Sequence, residues 1–354
     1  MENKFDVIVI GGGQSGLAVG YYLRRTGLRF IILDKEQHAG GAWQHFWKSL
    51  RLFSPAQWSS LPGVIMPGGG NYYPTREETI QYLKEYEQKY QLPVKRPVLV
   101  QSVIRTENGF HLRTSEGLFE TKTIVSATGS FDNPFIPQYP RAEKFQGKII
   151  HSSQYVTPDP FKGRRVAVVG EGNSGAQILA EISLIAETIW ITQEEPRFLA
   201  DHIDGRYLFD AASQMYEAKK QGKAYKSPSL REIVMVRTVK EARARGVFLH
   251  SFRPFSQFTK SGLQWNDGHH ESIDVVIFCT GFKSSLHHLS DLKVIPSDGR
   301  VATEETKSVD VPGLWLVGYG DWTGFASSTL IGVGRSARST VEEIVTFLSK
   351  AVEK

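Results

Sequence analysis

The chain has 354 residues, 40% of them hydrophobic and 22% charged, with a net charge of +5. That length suggests roughly two domains, each able to bury its own core, and the composition is that of a globular protein. The charge slightly favours anionic small ligands without implying nucleic acid, no apolar run reaches the roughly 18 residues of a membrane span, and a single cysteine excludes an intramolecular disulfide or Cys-x-x-Cys pair.

Phe5 to Ile10 is a short apolar run of the kind buried in a parallel sheet. Its start so near the first residue leaves no room for a targeting peptide, and the cytoplasm is the expected compartment, with no membrane or nucleic-acid partner. Gly11-Gly12-Gly13-Gln14-Ser15-Gly16 follows at once, then a helical pattern from Leu17 to Arg25. A second strand, Phe30 to Leu33, ends at Asp34, with Lys35 beside it. This is the dinucleotide fingerprint in its strand, turn and helix setting. Gly11 permits the tight turn, Gly13 lets the backbone approach a pyrophosphate, and Gly16 lets the helix pack on the strand. The helix N-terminus supplies partial positive charge, Gln14 and Ser15 in the turn are further cofactor-binding candidates, and Asp34 would accept hydrogen bonds from a ribose.

Thr75 and Glu78 form a capping box that starts a helix with Ile80, Leu83, Tyr86 and Tyr90 on one face; Arg76 reads as a solvated first-turn residue. From Val98 to Val125 the pattern has period two, and the turns Asn108-Gly109 and Glu116-Gly117 predict a three-stranded meander. A strand from Thr123 then runs into Ala127-Thr128-Gly129, and Pro134, Pro137 and Pro140 stiffen a linker.

Arg165 to Val169 and the turn Gly170-Glu171-Gly172-Asn173-Ser174-Gly175 repeat the first motif, followed by a helix over Ala176 to Ala186 and a strand over Thr188 to Thr192. Two such units imply two dinucleotides. Past the second strand stand Gln193, Glu194, Glu195 and Arg197. An acid there takes ribose hydroxyls, whereas an arginine accommodates a 2′-phosphate. Glu171, inside the loop itself, is an oddity that the fingerprint does not account for. Asp201, His202, Asp204 and the pairs His269-His270 and His287-His288 read as solvated turns, and no metal is expected. The aromatic, basic stretch Tyr207 to His250 reads as partly helical cover for a substrate cleft. Ile273 to Phe278 is a buried strand leading into Cys279-Thr280-Gly281, whose thiol lacks an activating base and reads as packing. Leu314 to Val317 is the last strand; Gly318 to Gly324 and a helix from Ser328 complete the chain.

Between the two Gly-rich turns, Phe145, Gly147, His151 and Tyr155 form F-x-G-x-x-x-H-x-x-x-Y. This resembles the fingerprint of the flavin-containing monooxygenases, the class B flavoprotein monooxygenases. Gly40-Gly41-Ala42-Trp43 is similar to the G-G-x-W element of that family. Arg51 to Pro55, which includes Ser54, and Trp58 to Gly63 resemble its compact bacterial members found among arsenic- and metal-resistance genes. Phe53 stands where many larger members hold an asparagine near the flavin, so that role does not carry over. Ala127-Thr128-Gly129 and Cys279-Thr280-Gly281 resemble the A-T-G crossovers of two-dinucleotide flavoproteins, and Asn173-Ser174 resembles a nicotinamide-type turn. Asp321 stands where an acid commonly holds the ribityl chain.

The resemblance implies an α/β protein with two Rossmann-like dinucleotide-binding domains, a two-dinucleotide-binding flavoprotein. The FAD domain would be discontinuous, residues 1–157 and 283–354, with the β-meander as its insertion; residues 158–282 would bind NAD(P)H. FAD and NADPH are the implied cofactors, with NADH as the alternative because Glu194 and Glu195 oppose Arg197. Reduced FAD would take up O2 as a C4a-(hydro)peroxide and pass one oxygen to the sulfur, nitrogen or arsenic of a small molecule. His151 and Tyr155 are the implied catalytic residues, His151 by holding the linker and cofactor and not by proton transfer. Baeyer–Villiger oxidation of ketones is the nearest rival, but its fingerprint usually has Trp where Tyr155 stands. A thiol–disulfide reductase would need a cysteine pair; a non-catalytic redox sensor and a homodimer are both compatible with the sequence.

Overall fold

The computed structural model describes residues 3–352 except 202, 204–213, 215–217, 219, 220, 222, 224–231 and 325. The chain forms two compact units. One comprises Met1–Gln44, Ser54–Asn133 and Lys283–Lys354; the other comprises His45–Phe53 and Pro134–Phe282.

In the first unit, strand β1 (Lys4–Ile10) leads through helix α1 (Gln14–Leu23) to β2 (Phe30–Leu33). Helix α2 (Arg76–Lys89) precedes β3 (Val94–Lys95), and β4 (Val100–Thr106), β5 (Gly109–Thr114) and β6 (Gly117–Ser126) follow. The second unit contains β7 (Lys148–His151), β8 (Arg165–Val169), helix α3 (Asn173–Ile182), β9 (Glu187–Ile191) and helix α4 (Arg237–Ala244). It continues with β10 (Gln257–Phe258), β11 (Gly262–Gln264), β12 (His270–Ser272) and β13 (Val275–Phe278). The first unit resumes with β14 (Thr303–Glu304), β15 (Lys307–Ser308), β16 (Leu314–Leu316) and helix α5 (Val333–Val352).

Strands β3, β2, β1, β6 and β16 lie side by side and parallel. Val7 to Ile10 of β1 are buried because both faces of this sheet are covered. On one side lie α1 and α5, the latter burying Val333, Ala337, Val341, Ile344 and Leu348 at helical spacing. Another core joins the sheet to the meander through Ile8, Ile10, Phe110, Leu112, Phe119 and Leu316. The meander's last strand and the expected strand from Thr123 are one element. The first half of β6 pairs antiparallel with β5, and the strand then runs on parallel to β1.

The second sheet, β7-β13-β8-β9, is entirely parallel. Residues 134–157, expected with the first unit, pack with the second because β7 pairs with β13. Tyr139 stacks on Phe255 there, 3.9 Å between ring centroids, above Phe258 and Phe278.

Three local details differ from expectation. The Thr75–Glu78 capping box is present, but α2 buries Thr79, Tyr82, Leu83 and Tyr86, so its inward face includes Tyr82 and not Ile80. The Tyr82 and Tyr86 hydroxyls donate to the carbonyls of Val64 and Pro62, which fixes that rotation. Helix α5 starts at Val333 and not at Ser328. Ala326 has a left-handed φ of 57°, and the Thr329 hydroxyl both donates to the Ala326 carbonyl and accepts from the Gly332 amide, so a side-chain-locked turn displaces the helix start.

No helix among the described residues is long and apolar enough to cross a membrane, and none of their His, Cys, Asp and Glu residues cluster in threes for a metal. His202, Asp204 and most of residues 207–231 lie outside the described residues.

Candidate functional site

The first Gly-rich turn leaves the C-terminal end of β1. Gly11 has φ 108°, and a Cβ there would sit 2.6 Å from the Ala127 carbonyl oxygen, so the crossover Ala127-Thr128-Gly129 packs directly behind the turn. A Cβ at Gly16 would collide with the Gly11 carbonyl, which is how closely α1 approaches the strand. Gly13 is the N-cap of α1, and no side chain caps that helix. The amides of its first turn, from Gln14, Ser15 and Gly16, are therefore left for an anion. A Cβ on Gly13 would meet nothing nearer than Gly41 Cα at 3.7 Å, and Gly41 in turn could bear no Cβ without coming within 2.7 Å of Gly13.

Several expected residues hold this cradle in place. The Trp43 indole donates to Gln14 Oε1 at 3.0 Å, while Gln14 Nε2 donates to the Ser328 carbonyl at 2.7 Å. Arg76, expected to be solvated, donates instead to the carbonyls of Trp43 and Gln44 and so clamps the G-G-x-W loop to α2. Ser15 is buried beneath Gly318. Lys35 pairs with Glu36 at 2.8 Å and Asp132 at 3.1 Å. The Ser54 carbonyl accepts from the Ser59 hydroxyl, and Asp321 is exposed at the start of a short helical turn.

Asp34 is buried at the end of β2, with its Oδ2 3.1 Å from Arg96 Nε and against the backbone of Gly12. Burial pushes its carboxyl up, while Arg96 and the amides of Glu36 and Gly12 pull it down. Arg96 is itself held by a two-pronged contact with Glu87, both bonds 2.8 Å. No sequence spacing marks Arg96.

Behind the first crossover lies a buried polar network with no sequence signature. The Thr128 hydroxyl donates to the Ser285 carbonyl at 2.6 Å and lies 2.7 Å from the Tyr319 hydroxyl. Ser126 Oγ is 3.0 Å from His288 Nε2. His288 is thus a core histidine and not part of a solvated turn; burial pushes its pKa down to about 4.

The second turn repeats the first. Gly170 has φ 129°, and a Cβ there would collide with the Cys279 carbonyl, as one at Gly175 would with that of Gly170. Gly172 caps α3 without side-chain help, and a Cβ on it would meet nothing within 4 Å. Asn173 accepts from the Val234 amide at 2.8 Å, and Ser174 follows it in the first turn of α3. Arg197 is exposed, and its carbonyl accepts from the Ile233 amide. Cys279 occupies the place of Ala127, and burial pushes its thiol up to about 12.

His151 and Tyr155 both point into the second unit. The Ser153 amide donates to His151 Nδ1 at 3.1 Å, so Nε2 carries the proton and donates to the Gly281 carbonyl at 3.0 Å. Burial lowers the His151 pKa, against the pull of that carbonyl. Tyr155 is fully buried, packs edge-on to Trp47, and donates to Glu181 Oε2 on α3 at 2.9 Å. Ser49 holds the other Glu181 oxygen. Burial pushes both the Tyr155 hydroxyl and the Glu181 carboxyl up.

Residues 8–318 match the family model for pyridine nucleotide-disulphide oxidoreductases. The chain belongs to that family. An oxidoreductase of Geobacillus kaustophilus described as CzcO-like is 31% identical over 98% of this chain and 99% of its own length. A flavin-containing monooxygenase from Stenotrophomonas maltophilia superposes with a TM-score of 0.89 at 48% identity, covering 98% of this chain and 99% of that one. The probable indole-3-pyruvate monooxygenase YUCCA1 of Arabidopsis thaliana is 25% identical over 95% of this chain and 89% of its own.

Within the pyridine nucleotide-disulphide oxidoreductases this chain is a flavin monooxygenase that draws electrons from a pyridine nucleotide and acts with O2 on a small molecule. The residues present fit two dinucleotides. Each turn ends in an uncapped helix N-terminus, and at each the glycine facing the cradle leaves room that a larger side chain would fill.

Proposed function

We propose that the first turn holds FAD and the second NAD(P)H, and that the enzyme delivers one oxygen atom of O2 to a sulfur, nitrogen or arsenic nucleophile. Bound FAD supplies hydride acceptance and oxygen activation. The chain's part is positional. Gly13 and the first amides of α1 would bind the flavin pyrophosphate, with Asp34, fixed by Arg96, at the adenosine ribose. Gly172 and the first amides of α3 would do the same for the nicotinamide dinucleotide. The single observation that carries the reading is the pair of open, uncapped turns, each backed by its own crossover.

His151 has both ring nitrogens engaged, so it acts as a positioning residue that ties Gly281 to β7. Tyr155 in place of tryptophan favours a soft nucleophile over a ketone. The test is turnover under 18O2 with a panel of a sulfide, a tertiary amine and arsenite. One labelled oxygen in a product, with matched NAD(P)H consumption, is expected. Consumption that yields only hydrogen peroxide across the whole panel would overturn the proposal.

A further inference from the structure

The two turns take their acids from opposite sides of equivalent strand-to-turn junctions, one in each unit. Register aligns them: Ile10 pairs with Leu33, and Val169 pairs with Ile191. Gly12 therefore corresponds to Glu171, Asp34 to Thr192, and Lys35 to Gln193. In the first unit the carboxylate comes from the strand end, and Asp34 lies against Gly12 and accepts from its amide. In the second unit the strand end carries Thr192, buried, with its hydroxyl 3.0 Å from that of Ser251. The carboxylate comes instead from the turn: Glu171 Oε2 accepts from the Gln193 amide at 3.0 Å.

We propose that Glu171 is the residue that reads the ribose of the nicotinamide dinucleotide, and that it biases this enzyme toward NADH over NADPH. The inference rests on the second turn being the nicotinamide site. A carboxylate offers about four acceptor positions, so the bond to Gln193 leaves enough for a ribose diol. The same carboxylate repels a 2′-phosphate dianion, and the exposed Glu194 and Glu195 add to that field. Two guanidinium groups oppose it. Arg197 is exposed, and Arg253 lies 3.5 Å from the Thr192 hydroxyl. Glu171 is tied by the Gln193 amide to the junction equivalent to that of Asp34 in the first unit, which gives it the fixed position that a ribose reader needs.

Glu171→Gln keeps an acceptor for the Gln193 amide and removes only the charge. The oxidised holoenzyme and this variant would be titrated with NAD+ and with NADP+, which bind without reducing the flavin. The wild type should bind NAD+ more tightly. The variant should weaken NAD+ and strengthen NADP+, moving the affinity ratio by about tenfold, the scale of one charge-assisted hydrogen bond. A ratio that stays put while both dinucleotides bind, whether or not both affinities fall together, makes Glu171 a mere latch for Gln193 and overturns the assignment alone. A wild-type holoenzyme that binds neither dinucleotide overturns the nicotinamide reading of the turn, and the assignment with it.

Discussion

Replacing Gly13 with alanine separates binding from folding. The residue has φ −78° and ψ −171°, an extended backbone that alanine adopts without strain. Its new methyl would touch only Gly41 Cα at 3.7 Å, an ordinary contact. Restricting the unfolded chain favours alanine by roughly 0.4–1 kcal/mol, and a weaker N-cap costs up to about 1 kcal/mol. The net change in stability of the flavin-free protein should therefore stay within about 1 kcal/mol. On the proposed placement the methyl would fill the space through which a pyrophosphate reaches the first amides of α1. Losing one charge-assisted hydrogen bond there costs about 1.5–3 kcal/mol, roughly a tenfold to hundredfold weaker flavin affinity. Flavin content after gel filtration, measured beside the melting temperature of the stripped protein, reads both quantities. Stoichiometric flavin in the alanine variant would refute the placement. Gly16→Ala is the contrasting control: its methyl collides with the Gly11 carbonyl, so it should damage the fold itself.

His288 should make the fold acid-sensitive. Its folded pKa, about 4, lies below the ordinary 6.5, so the unfolded chain binds a proton that the folded chain refuses. Stability contributed by this group is complete above about 6.5 and is lost as pH falls toward 4, by about 3 kcal/mol in all. His288→Gln should flatten that part of the denaturation-against-pH curve, and an unchanged slope would contradict the buried placement. The Cys279 thiol, buried and pushed up to about 12, should react with a disulfide reagent only after denaturation; rapid labelling of the native protein would disprove its packing role. Tyr155→Phe removes the bond to Glu181 and should cost about 1–2 kcal/mol with flavin content unchanged. Flavin loss at unchanged stability would instead place Tyr155 at the cofactor.

The elements that sequence made legible are those whose signal is local. Turns at Gly11 and Gly170 announce themselves because only glycine fits against the carbonyl that ends the neighbouring strand, and the Thr75–Glu78 box is complete within four residues. Signals that depend on a distant partner were not legible. Arg76 is polar and early in a helix, which reads as solvated until the carbonyls of Trp43 and Gln44 come to meet it. His288 carries no mark of burial beside the exposed His287, because its partner Ser126 lies far off in the chain. Arg96 and Glu181 are likewise ordinary helix or loop charges until Asp34 and Tyr155 are placed against them. The start of α5 is a subtler miss, since Thr329 bonds a local turn in preference to opening the helix.

The fingerprint around His151 works on the second turn through the backbone. His151 ends β7 and donates to the Gly281 carbonyl. Thr280, one residue earlier, donates to the Phe135 carbonyl, and Cys279 before it presses its own carbonyl against Gly170. From the other side Tyr155 holds Glu181 on α3, the helix whose N-terminus the same turn opens. The two fingerprint side chains thus grip the second turn from behind and from its helix. Neither needs to touch a ligand to set where Gly170, Glu171 and Gly172 stand. Their fixed spacing follows from that geometry: one residue must reach the crossover from the strand end, the other the helix from the loop that follows. On the reading proposed above, a motif of this kind sets where a dinucleotide sits and leaves which one to the residues at the turn itself, with Glu171 as the proposed reader.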